Sequence, residues 1–114
     1  MFRQAFKNIL SERLPSSVIE EAANGDEASQ KIKATLPHLI FMDIRLPGLN
    51  GFQLTQKIKA ASPGIHIAIL TGYDLPEYRQ AALEHGADRF FVKESLKWDE
   101  IEAFVKSIPL GGTS

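Results

Sequence analysis

The 114-residue chain contains no cysteine, which excludes disulfides and thiolate metal sites and fits a reducing compartment. It carries no surplus of charge: 13 Lys and Arg stand against 14 Asp and Glu, a net of −1. Nothing in that balance points to direct contact with nucleic acid or an anionic membrane. No apolar run approaches the length of a membrane span. The segment from Met1 to Phe6 is too short and too polar to read as a signal peptide. The three histidines, His38, His66 and His85, are scattered without metal-ligand spacing. With 44% hydrophobic residues the chain has enough apolar material for a packed core, and its length suits one domain. The expectation is a soluble, cytoplasmic protein with no membrane contact.

Stretches of helical apolar spacing alternate with short apolar runs. Phe2, Phe6, Ile9 and Leu10 fall on one helical face, and Leu14-Pro15 ends that helix. Val18–Ala23 reads as a short strand. Asn24-Gly25-Asp26 reads as a turn, with Asp26 as cap of a helix that runs to about Thr35. A second strand spans His38 to Met42, followed by a helix marked by Phe52, Leu54 and Ile58. A third strand, Ile65 to Leu70, is apolar except for His66, as expected of a strand buried on both faces. Pro76 opens another helix and His85-Gly86 stops it. Arg89–Val92 is the fourth strand. The last helix has Trp98, Ile101, Phe104 and Val105 as its apolar side, with Trp98 expected to pack there. The domain is expected over residues 1–109, and residues 110–114 (Leu110 and Gly111-Gly112-Thr113-Ser114) form a tail. A helix followed by four strand–helix units implies a parallel sheet with helices on both faces.

Strands joined by right-handed crossovers place all their C-termini on one rim, where ligands bind in open α/β sheets. The run His38-Leu39-Ile40-Phe41-Met42 ends abruptly on Asp43. Thr71 and Lys93 likewise stand directly after strands. A carboxylate nucleophile can form an acyl phosphate, whose added negative charge needs an ammonium and a hydroxyl donor. Each residue alone also has a plain reading: Asp43 as a helix cap, Thr71 as a turn residue, Lys93 as a solvated charge. Three such residues at successive strand ends are a much rarer coincidence.

These residues, with the loop Arg45-Leu46-Pro47-Gly48-Leu49-Asn50-Gly51 and the Gly86-Ala87-Asp88 that precedes the last strand, resemble the receiver domain of two-component response regulators. The resemblance covers nearly the whole chain. It implies a flavodoxin-like, doubly wound parallel sheet, here shortened at the N-terminus to about four strands and five helices. It implies that Asp43 is the phosphoacceptor, that Thr71 and Lys93 bind the phosphoryl group, and that Asp43 and the backbone carbonyl of Arg45 are ligands of Mg2+. Phe90 matches the family's switch aromatic; a plain core phenylalanine is the other reading. The implied partners are a histidine kinase or phosphotransfer protein and an unidentified output partner. The implied role is a signalling domain rather than an enzyme in the usual sense. Where the family usually has a proline after the lysine, Glu94 stands here.

One departure from the family pattern matters. Receivers open on an apolar strand that ends in two adjacent acids, which hold magnesium beside the phosphoacceptor. This sequence starts at Met1 already inside the first helix, and neither Glu20-Glu21 nor Asp26-Glu27 is placed to substitute. Magnesium binding and phosphorylation are therefore expected to be impaired. A receiver-like interaction or dimerisation module that has lost phosphorylation is the alternative function. The missing strand would also leave an edge unpaired, so a homodimer is expected, with Val18–Ala23 and Leu39–Met42 at or near the contact.

Overall fold

The apolar run that follows Ser62-Pro63-Gly64 becomes the middle of the sheet. In a computed structural model of the chain, residues 2–14, 22, 24–44 and 50–108 are described. Their elements are α1 (Phe2–Arg13), α2 (Gly25–Thr35), β1 (Leu39–Asp43), α3 (Gly51–Ala61), β2 (His66–Thr71), α4 (Pro76–Glu84), β3 (Arg89–Val92) and α5 (Trp98–Ser107). A short 3-10 turn over Lys93–Ser95 joins β3 to α5. The sheet has the order β1-β2-β3 and both pairings are parallel. Residues Ile67, Ala68 and Ile69 of β2 are 0% exposed, which is why this strand could not alternate apolar with polar residues.

Successive residues of a strand point to opposite faces, and two apolar clusters follow. One gathers Ile67 and Ile69 of β2 with Met42, Leu54, Ile58 and Ala82, and packs Ala28 and Ile32 of α2 against them. This face is covered by α2, α3 and α4. The other gathers Ala68, Leu70 and Phe91 with Phe6 and Leu10 of α1 and Ile101 and Phe104 of α5. Phe6 is its aromatic hub, edge-on to Phe41 at 5.0 Å and 5.1 Å from Trp98. Trp98 is thus a packing residue, as its position in the helical pattern suggests.

Three expectations need correction. The strands expected over His38–Met42 and Ile65–Leu70 are displaced by one residue, because the parallel ladder continues through the Asp43–Leu70 and Thr71–Val92 pairs. Asp43 and Thr71 are therefore the last residues of their strands rather than the first beyond them. The cap of α2 is Asn24, whose side chain accepts the Glu27 N–H at 2.8 Å, so Asp26 lies inside the first turn. The strand expected over Val18–Ala23 falls, except for Ala22, outside the described residues. So do Arg45, the rest of the loop through Leu49, and the tail over residues 110–114.

The Gly86-Ala87-Asp88 segment ties the opposite rim. Gly86 sits at φ +92, where glycine is unstrained. Asp88 then closes a reciprocal pair with Ile67: its N–H donates to the Ile67 carbonyl at 2.8 Å, and its carboxylate accepts the Ile67 N–H at 2.8 Å. Lys59 of α3 pairs with the same carboxylate oxygen at 2.8 Å.

At the end of α2, Leu36 holds a left-handed conformation at φ 49 and is 66% exposed. A leucine there carries the steric cost of that region and gains little burial. Replacement by glycine should therefore stabilise the fold, the usual outcome at a helix C-terminus of this shape. Leu36→Gly is expected to raise the unfolding free energy by ~0.5–1 kcal/mol in a urea titration.

Candidate functional site

β1 delivers Asp43 to the C-terminal rim, and its register partner on β2 is Leu70. Thr71, one residue further along β2, pairs with Val92, and Lys93 comes next on the chain after β3. Neighbouring strand ends are about one strand spacing apart, ~4.8 Å, so the Lys93 side chain reaches Asp43 across the end of β2. Lys93 Nζ donates to Asp43 Oδ2 at 2.6 Å, across 50 residues of sequence. Both side chains keep contact with water, at 25% and 36% exposure. A pair of this openness contributes at most about 1 kcal/mol to folding, so its interest is chemical rather than structural. The short contact is of the charge-assisted kind.

Thr71 is 1% exposed, and its Oγ1 accepts the Tyr73 N–H at 3.1 Å. A hydroxyl used in this way keeps its own hydrogen to donate. By alternation Thr71 shares the face of Ile67 and Ile69, the side of α2, α3 and α4. Asp43 and Lys93 meet toward the other side, where Lys93 Nζ lies 4.5 Å from the centre of the Phe2 ring of α1. Phe90 belongs to Thr71's face. Its ring is partly buried against the α3–α4 cluster, with the Arg79 guanidinium 4.8 Å above it. Arg79 is anchored by Asp74, whose Oδ1 accepts from Nε at 2.8 Å.

Local backbone geometry fixes where Asp43 can be. Asn50 caps α3 by accepting the Gln53 N–H at 2.9 Å. Gly51 then donates its N–H to the Ile44 carbonyl at 3.0 Å. A Cβ on Gly51 would stand 2.6 Å from the Asp43 carbonyl oxygen and 2.7 Å from Ile44 Cα, both backbone atoms. Only glycine lets the start of α3 lie this close to the end of β1. Neither the Gly51 approach nor the Phe2 contact was visible in the sequence. In the sequence Asn50-Gly51 is only the end of a loop, and Phe2 only a residue of a helix face.

The response regulator receiver domain family model matches residues 1–106. The chain belongs to the response regulator receiver domain family. The receiver is 33% identical over 110 residues to the transcriptional regulatory protein LnrK of Bacillus subtilis, covering 96% of this chain and 50% of that protein. It is 35% identical over 112 residues to the oxygen regulatory protein NreC of Staphylococcus carnosus, covering 97% and 51%. It spans about half the length of those relatives, and of the YesN regulator of B. subtilis only 22%. Among solved structures it resembles a two-component response regulator from Clostridium difficile, with TM-score 0.84 and 30% identity over 97% of this chain and 88% of the other. It also resembles the receiver domain of NtrX from Brucella abortus, with TM-score 0.82 and 28% identity over 93% and 88%. The flavodoxin-like α/β fold is thereby established, and with it a place in two-component signalling.

Receiver domains generally bind magnesium. Of the two ligands that the resemblance implies, Asp43 is described and the Arg45 carbonyl lies outside the described residues. Among the described residues no three acidic or histidine side chains gather into a metal-binding group. Asp43 is the acid at this rim, and its Oδ2 is engaged by an ammonium. A hard octahedral cation needs several oxygen ligands. No described helix is long and apolar enough to cross a membrane.

Gly51→Ala is expected to cost ~1–3 kcal/mol of stability, because the clash is with backbone that cannot step aside. The check is chemical denaturation together with the Asp43 and Ile44 amide NMR signals, which should move while those of α5 stay.

Proposed function

We propose that the receiver takes a phosphoryl group onto Asp43 from the phosphohistidine of a histidine kinase or phosphotransfer protein in the cytoplasm, and that the adduct alters a surface read by an output partner. The observation that carries this reading is the Asp43–Lys93 contact of 2.6 Å at the sheet rim. A carboxylate oxygen of Asp43 attacks phosphorus, the P–N bond breaks, and its electron pair leaves on the imidazole nitrogen. The product is an acyl phosphate carrying about two negative charges on its phosphoryl oxygens, about one more than the carboxylate it replaces. Phosphoryl transfer asks little covalent work of the protein, so positioning and charge stabilisation dominate. Lys93 moves its hydrogen bond from the carboxylate to a phosphoryl oxygen. Thr71 donates its remaining hydrogen to another. Movement of Thr71 toward that oxygen frees space on its own face, where Phe90 is the switch residue. Turning the Phe90 ring inward would give up its contact with Arg79.

Magnesium enters no step of this account. On this reading the receiver binds it weakly and is phosphorylated slowly. The Arg45 carbonyl, the other ligand that the family pattern implies, lies outside the described residues. Incubation with acetyl phosphate, followed by intact mass, tests the reading. A single phosphoryl adduct should form slowly, with little gain from added magnesium, and Asp43→Asn should abolish it. No adduct under prolonged incubation would leave the interaction-module reading in its place.

That second reading has one observation of its own. Among the described residues β1 pairs with β2 alone, and the strand expected over Val18–Ala23, apart from Ala22, lies outside them. An apolar edge is a template for pairing with another chain, and a homodimer through Leu39–Met42 would satisfy it. Light scattering across a dilution series should then show a dimer that dissociates at low concentration. A monomer at every concentration would mean that the chain covers this edge itself.

A further inference from the structure

We propose that Phe2 is a positioning residue for Lys93, holding the ammonium at the α1 side of the rim beside Asp43. A lysine at a strand end has four rotatable bonds and many ways to leave the site. Here two contacts confine it: Asp43 Oδ2 at 2.6 Å and the face of the Phe2 ring at 4.5 Å. The ring attracts the cation through its quadrupole. It takes up no N–H hydrogen, so the donors of the ammonium remain available for oxygen. A carboxylate in the same place would instead compete with the incoming group for those hydrogens.

The ring is itself held from the core. Phe2 stacks on Phe6 at 5.5 Å with 23° between planes. Phe6 is 7% exposed and meets Phe41 edge-on at 5.0 Å. Phe41 stands two residues before Asp43 on β1. The aromatic series Phe41–Phe6–Phe2 therefore starts on the strand that carries the nucleophile and ends on the cation that faces it. Packing alone would be served by any apolar side chain at position 2. The contact with Nζ needs an aromatic one.

This inference rests on the phosphoacceptor reading for its consequence but not for its geometry, and two measurements on the full chain separate them. In the unmodified protein the Lys93 ε-methylene NMR signal should be shifted upfield by the ring. Phe2→Leu should remove the shift and Phe2→Trp should keep it. The second measurement is the rate of adduct formation with phosphoramidate in its N-protonated form, where Asp43 oxygen attacks phosphorus and ammonia leaves with the P–N electron pair. Phe2→Leu should slow this step about fivefold, equivalent to ~1 kcal/mol. Its thermal midpoint should stay near the parent's, and Phe2→Trp should restore the rate. A Lys93 signal indifferent to Phe2→Leu overturns the proposal. So does a rate that Phe2→Leu and Phe2→Trp lower alike, which would mark Phe2 as packing only. If the parent forms no adduct, the phosphoacceptor reading fails, and the Lys93 signal still decides whether Phe2 holds the ammonium.

Discussion

The molecule depends on a strand that has no solvent side. β2 is paired along both edges and covered on both faces, with Ile67, Ala68 and Ile69 wholly buried. Burial of each isoleucine is worth about 1.5–3 kcal/mol, so its neighbours cannot slip without exposing a face. A one-residue slip in a sheet reverses every side chain. The register that holds Asp43 beside Leu70 and Val92 beside Thr71 is therefore fixed by the hydrophobic effect, although neither Asp43 nor Thr71 contributes to it. At the other rim, Asp88 adds a polar clamp between β2, β3 and α3. That clamp sets where β3 begins, and hence where Lys93 emerges.

With the strand ends fixed, the Asp43–Lys93 pair is a standing charge arrangement rather than a fold determinant. It lies at the water's edge and is worth little to stability. If Asp43 is the nucleophile as proposed, an ammonium 2.6 Å from its carboxylate has only a short way to travel to a phosphoryl oxygen. Preorganised charge of this sort is effective because little reorganisation is needed at the moment of reaction.

Much of this was legible in the sequence. Helical spacing of apolar residues, short apolar runs and turn residues located all the described α-helices and strands, and Arg89–Val92 came out with its observed bounds. The one-residue displacement of β1 and β2 arose because side-chain polarity marks where the core ends, whereas backbone pairing runs on through Asp43 and Thr71. Asn24 and Asp26 are equally good caps by chemistry, and only the helix start decides between them. The convergence of Asp43 with Lys93 followed from parallel topology. What did not follow was anything that depends on how an element sits laterally on the sheet. The Gly51 approach, the Asp88 clamp and the Phe2–Lys93 contact all join residues from different elements. Their pairing has no periodicity to betray it.

The pleat divides the rim in two. Asp43 and Lys93 meet on the side of α1 and α5, while Thr71 and Phe90 belong to the side of α2, α3 and α4. The two halves touch different helices and different aromatic groups, Phe2 of α1 on one side and Phe90 with Arg79 of α4 on the other. They are linked through the backbone of a single strand end. Such a partition makes the sheet a bulkhead with one fitting through it. If Asp43 takes the phosphoryl group as proposed, substitutions around Arg79 and Asp74 can retune what the far side presents without entering the electrostatics of the near side, and a change of phosphodonor need not rewrite the output surface. Reactivity and readout are then free to diversify separately, with Thr71 as the one position that neither can alter alone.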